Sequence, residues 1–171
     1  MNSRNGFTLI EILVIIILIS TFVFIALPKI RSGTDLNIKS ASSNLCSTIK
    51  YLYNEAAFKK NDYRLVFDID RGEYWIEVLN GNEYVISTDF LQTKRKLPNG
   101  VHFKDIVTEH SQNNNSLDNS AKFILFLPTG FVEPAEIHLF TDNQENYTLQ
   151  TIPYTGGTKV YNEYVELMRS Q

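Results

Sequence analysis

One carboxylate in this sequence stands where it has no obvious partner. Residues 7–27 form a run of 21 residues in which only Thr8, Glu11, Ser20 and Thr21 are not apolar. As a helix rising about 1.5 Å per residue, the run is about 31 Å long, close to the bilayer hydrocarbon thickness of about 30 Å. Glu11 is the fifth residue of the run. An unpaired charge inside a bilayer costs about 2.5–3.5 kcal/mol on insertion scales. A carboxylate retained at that cost is expected to meet a cation, and the run supplies none.

The other residues capable of chemistry do not converge. His102, His110 and His138 are scattered over predicted strands and a loop without metal-ligand spacing, and each reads as a surface or half-buried side chain. Asp68-x-Asp70-x-Gly72-Glu73 has too few ligands and a misplaced glycine for a calcium loop, and reads as a hairpin turn. Lys94-Arg95-Lys96 is a short basic cluster that reads as a solvated loop. The glycine pairs precede no lysine and helix of the phosphate-binding kind. Cys46 is the only cysteine, so no intrachain disulfide can form, and its place on a helical pattern makes it a small packed side chain. The sequence therefore predicts no catalytic site, no metal and no cofactor. A net charge of -3 lacks the basic surplus of nucleic-acid-binding domains, so a nucleic-acid partner is not expected.

The elements follow from periodicity. Beyond Pro28, which is expected to kink a continuing helix, Ile38, Ala41, Leu45, Ile49, Leu52 and Ala56 recur at spacings of three and four, one stripe of an amphipathic helix over 29–58. Gly33 weakens the middle, and Lys59-Lys60-Asn61-Asp62 ends it. The period then changes to two. Tyr63, Leu65, Phe67 and Ile69 alternate with Arg64, Val66 and Asp68, and Tyr74, Ile76 and Val78 alternate with Trp75, Glu77 and Leu79. Asn80-Gly81 signals a hairpin into a short strand at 84–87. Further strands are predicted at 101–107, 122–127, 136–140, 147–152 and 158–161, with a polar loop at 109–120. One long N-terminal helix and roughly seven or eight short antiparallel strands, in one sheet or two, make an α+β fold. Roughly 140 residues beyond the apolar run suffice for one domain with its own core.

Gly6, followed by Phe7-Thr8-Leu9-Ile10-Glu11 and an apolar helix, resembles the processing site of type IV prepilins and type II secretion pseudopilins. Phe126-Leu127-Pro128-Thr129-Gly130-Phe131-Val132, Ile137-His138-Leu139, Tyr147-Thr148-Leu149 and Thr155-Gly156-Gly157-Thr158-Lys159-Val160 resemble the C-terminal half of GspH/FimT-type minor pseudopilins, where two turns bracket the last strands. The resemblance implies cleavage by a prepilin peptidase between Gly6 and Phe7, N-methylation of Phe7, and pairing of Glu11 with the N-terminal amine of a neighbouring subunit during assembly. It implies a leader at 1–6, a membrane and filament-core helix at 7–28, an amphipathic half at 29–60 and a periplasmic β domain at 61–171. The implied partners are other major and minor pseudopilins, the peptidase, an inner-membrane assembly platform, and secreted substrates or an outer-membrane secretin.

The implied location is the bacterial inner membrane, crossed once with a cytoplasmic N-terminus. Arg4 in an acid-free leader agrees with that orientation, although Lys29 and Arg31 flank the far end. A secretory signal would carry an apolar stretch of about 7–15 residues and a small-residue cleavage site, which Ala26-Leu27-Pro28-Lys29 does not provide. A plain anchor would have no use for Glu11. The alternative within the resemblance is a FimT-like minor type IV pilin serving pilus assembly or DNA uptake. Arginines gathered near the C-terminus would favour it, but the segment after Gly157 balances Lys159 and Arg169 against Glu163 and Glu166.

Overall fold

The structure is a computed structural model that describes residues 8–26, 33–87, 94–110 and 122–166. It divides into two compact units, Met1–Gly33 and Thr34–Gln171. The first contains α1, Leu9–Ala26, apolar around its whole circumference. The second contains all but the first residue of α2, Gly33–Lys59. The helix expected to continue through Pro28 is described on either side of it, as α1 and α2, while residues 27–32, Pro28 among them, lie outside the described residues. Gly33 is the first described residue of α2.

The α2 stripe is the one read from spacing. Ile38, Ala41, Leu45, Ile49, Leu52 and Ala56 are all fully buried or nearly so, and each larger side chain contributes about 1.5–3 kcal/mol by leaving water. Glu55 and Lys59 pair one turn apart at 2.9 Å. Lys60 then takes a left-handed φ of 54° and stops the helix. The exit is fixed to the first hairpin, because the Asn61 amide donates to the Leu79 carbonyl and the Leu79 N–H donates to the Asp62 carbonyl, each at 2.9 Å.

Two antiparallel sheets follow. The first is built from β1 (Tyr63–Asp68), β2 (Glu73–Asn80), β3 (Glu83–Ile86), β4 (Arg95–Lys96), β6 (Lys122–Leu127) and β7 (Phe131–Val132). Its order is β3-β2-β1-β6-β7, with β4 also on β2. The second contains β5 (Val101–Thr108), β8 (Ala135–Thr141), β9 (Asn146–Ile152) and β10 (Gly157–Tyr161), in the order β10-β9-β8-β5. Leu65 lies opposite Ile76 on one side and Ile124 on the other, so the alternating residues of three strands form one apolar face. That face shares a single core with the α2 stripe and with Phe103, Ile137, Leu139 and Leu149 of the second sheet. Phe67 and Phe103 meet edge to face across the sheets at 5.5 Å.

Ten strands are described where seven or eight were expected. The additional ones, β4 and β7, have two residues each and are too short to show alternation. Lys94-Arg95-Lys96 is therefore not simply a loop, since Arg95 and Lys96 pair with Tyr74 and Glu73. Val66, on the outward phase of β1, is nevertheless buried, with Trp75 and Phe123 beside it on the neighbouring strands. Residues 111–120 of the expected polar loop lie outside the described residues.

One turn is moulded against α2. Lys50 donates to the Thr155 carbonyl and the Tyr53 hydroxyl to the Tyr154 carbonyl, both at 2.8 Å, so the β9–β10 turn lies on the helix. Gly156 has φ +61°, and a Cβ there would lie 2.6 Å from Cβ of Tyr53 and closer still to its ring. Gly72 has φ +64° with open space around it. Gly156→Ala is expected to cost about 2–4 kcal/mol, from overpacking plus left-handed strain, and Gly72→Ala only about 1–2. Urea denaturation of the two variants checks this; equal losses would mean that the contact with Tyr53 contributes nothing.

Candidate functional site

The expected assembly site begins at the head of α1. Gly6 and Phe7 lie outside the described residues. Thr8 precedes the helix, and its hydroxyl accepts from the Glu11 N–H at 3.4 Å, while its carbonyl accepts from Glu11 N–H at 3.1 Å and Ile12 N–H at 3.3 Å. Thr8-x-x-Glu11 therefore has capping-box spacing with Thr8 as the cap, a local use of Thr8 that the sequence reading did not identify. A carboxylate in the first helical turn is also favoured by the helix dipole.

The remainder of α1 offers no polar face. Leu9 is 84% exposed and Phe22 is 74% exposed, and the apolar side chains between them are all substantially uncovered. Ser20 and Thr21 spend their hydroxyls on the Ile16 and Ile17 carbonyls, each at 2.8 Å. Such a helix carries no polar demand except Glu11, and its surface is suited to lipid or other helices rather than water. Among the described residues no helix is long and apolar enough to cross a membrane. The 18 residues of α1 span about 27 Å, and the apolar run extends past both of its ends.

The three histidines each meet a carboxylate, at separate places. His102 Nε2 lies 2.8 Å from Asp142 Oδ1 at the surface. His110 Nδ1 lies 2.6 Å from Glu133 Oε1, with its ring stacked on Phe123. His138 lies against Asp105 and is 0% exposed, contrary to the expectation of a surface or half-buried side chain. Among the described residues no group of His, Cys, Asp or Glu could hold a metal ion. Cys46 is a free thiol packed at the edge of the core.

Other motifs are occupied by folding. Asp68 Oδ1 accepts from the Arg71 N–H at 3.0 Å, closing the turn read from the sequence. Lys94 sits 4.2 Å over the Trp75 ring, while Arg95 reaches the Tyr74 hydroxyl, whose pKa burial raises against the opposing pull of that guanidinium. Glu77 accepts from Trp75 Nε1 at 2.9 Å and from Arg64 Nε at 2.6 Å, and Arg64 covers the Tyr84 ring at 4.0 Å. Alternation placed these side chains outward, but their mutual contacts become visible only when β1, β2 and β3 are in register.

Residues 1–27 match the prokaryotic N-terminal methylation motif. No curated protein matches the chain. Two solved structures of the minor pseudopilin EpsH from the type II secretion system of Vibrio cholerae share the fold. One is 17% identical with a TM-score of 0.55, covering 72% of this chain and 95% of EpsH. The other is 15% identical with a TM-score of 0.60, covering 79% and 99%. The chain thus has an N-terminal methylation motif and a pilin-like α+β fold. Within that class it resembles the minor pseudopilins of the GspH type.

Glu133 is a structural hub. Buried behind β6, it accepts from the His110 and Leu125 N–H groups, both at 3.1 Å, as well as from the His110 ring. Glu133→Ala should cost about 2–4 kcal/mol, because two backbone donors lose their acceptor. A urea midpoint unchanged from the parent would contradict that role.

Proposed function

We propose that this chain is a minor pseudopilin, a structural subunit of a type II secretion pseudopilus with no enzymatic role. Prepilin peptidase removes residues 1–6 by cutting between Gly6 and Phe7, and Phe7 is N-methylated. Residues 7–28 cross the inner membrane with the N-terminus in the cytoplasm. They later enter the filament core, joined through the amphipathic residues 29–60 to a periplasmic domain at 61–171. Other pseudopilins and the assembly platform receive the subunit, and the filament drives substrates towards the outer-membrane secretin.

The observation that carries this reading is an all-apolar helix whose only ionisable side chain, Glu11, sits in its first turn. Cleavage after Gly6 would create an amine four residues before Glu11. The amine of one subunit and the carboxylate of the next then neutralise each other in a low-dielectric bundle, which offsets much of the cost of burying either. The secretion reading is preferred to DNA uptake because the segment after Gly157 balances Lys159 and Arg169 against Glu163 and Glu166 and so offers phosphates no net positive charge.

Glu11→Gln separates pairing from capping, since glutamine also serves at the third position of a capping box. The variant should insert into membranes normally yet enter filaments about tenfold less, the loss of roughly 1.4 kcal/mol. Normal incorporation, measured by co-purification with sheared filaments, would remove the pairing role. Gly6→Ala should accumulate as a precursor still carrying residues 1–6, and normal processing of it would contradict the proposed cleavage.

A further inference from the structure

Residues 162–166 leave β10 without regular structure and lie against the second sheet, held mainly by side chains of one cross-strand row. In that row Asp105 of β5 faces His138 of β8, which faces Thr148 of β9. Thr148 Oγ1 donates to the Glu163 carbonyl at 2.8 Å and accepts from the Val165 N–H at 3.1 Å. The Tyr164 ring lies 4.3 Å from the His138 ring, and its hydroxyl reaches Asp105 Oδ2 at 3.4 Å. Lys104 Nζ sits 4.0 Å over the same tyrosine. A β-bulge between Phe103 and Asp105 shifts the register so that Asp105, rather than Lys104, lies opposite His138.

The contacts of His138 impose a proton count. Its Nδ1 meets the Asp105 carboxylate and its Nε2 meets the Val165 carbonyl at 3.0 Å. Both partners are acceptors. A neutral imidazole has one N–H and can satisfy only one of them, whereas the imidazolium has two. We propose that His138 is a proton-operated latch: doubly protonated, it holds the C-terminal segment 162–166 on the sheet, and loss of one proton releases it.

The groups around the ring favour the closed state. Burial alone would expel the proton from His138, but hydrogen bonds to Asp105 and the Val165 carbonyl, with the charges of Asp105 and Glu136, outweigh it and raise the pKa above 6.5. On Asp105, burial is outweighed by His138, Tyr164 and Lys104, which hold its pKa below the usual carboxylate value. From the segment, Glu163 and Glu166 add negative charge, and Thr148 of β9 does not ionise. Partial burial, then Glu166 and Asp105, push the Tyr164 hydroxyl up to about 12, so it stays a phenol over the range in question. Because the folded histidine pKa is raised, the latch is fully closed below about pH 6.5 and is lost as pH rises through the raised value. The carboxylate, the stronger acceptor, then keeps the remaining proton on Nδ1, leaving two lone pairs facing each other between Nε2 and the Val165 carbonyl.

The test uses the full chain in detergent, with Cys46→Ala and a nitroxide on Glu163→Cys, whose side chain is exposed. The label should be immobilised at about pH 6 and should gain a mobile component reversibly, at least threefold, on going to about pH 9. His138→Gln should be mobile across the range, which excludes His102 and His110 as the titrating groups. Asp105→Asn should move the midpoint down by about one pH unit or more, as removal of a neighbouring opposite charge requires. A label immobile from pH 6 to 9, the same transition in His138→Gln, or an unmoved midpoint in Asp105→Asn would each overturn the latch. If His138→Gln fails to fold, the Asp105→Asn midpoint decides alone.

Discussion

The constraint on which the rest of this molecule depends is an apolar helix that water cannot solvate and that still carries one carboxylate. The exposed circumference of α1 has no polar side to turn to solvent, and its two hydroxyls are spent on its own backbone. Burial of such a surface in lipid or among like helices is favourable at about 25 cal/mol per Å². Glu11 is the exception, and its ionised form is tolerated there only against a cation. Local capping by Thr8 organises the helix start but supplies no charge. The proposed assembly mechanism follows from that imbalance.

The second unit answers different needs. One core joins α2 to both sheets, with Phe67 against Phe103 as an aromatic joint between the sheets. Its buried and half-buried acids are hubs of folding. Glu133 gathers His110 and Leu125, Glu77 gathers Trp75 and Arg64, and Asp105 gathers His138 and Tyr164. Carboxylates occupied in this way organise strands and loops.

Much of this was legible in the sequence, for physical reasons that also set the boundary of legibility. The α2 stripe was readable because Ile38 to Ala56 obey one period and one burial demand. The hairpin at Asp68–Gly72 was readable because its turn chemistry is local. Strands β4 and β7 were not, because two residues carry no period. The burial of His138 was hidden for another reason. Alternation along β8 puts it on the outer face, and the aperiodic segment after β10 covers it there. The candidate site is legible in the same uneven way: Glu11 stands out against its apolar run, whereas the cap three residues before it, Thr8, is an uncharged hydroxyl that the apolar pattern does not single out.

The most direct measurement is the N-terminal mass of the protein isolated from its native membranes. The account predicts a chain that begins at Phe7 and carries one added methyl group, which places an amine at the start of the apolar helix. A chain retaining Met1 or Asn2, or one cut beyond Leu27, would contradict it, because Glu11 would then have no N-terminal amine to meet.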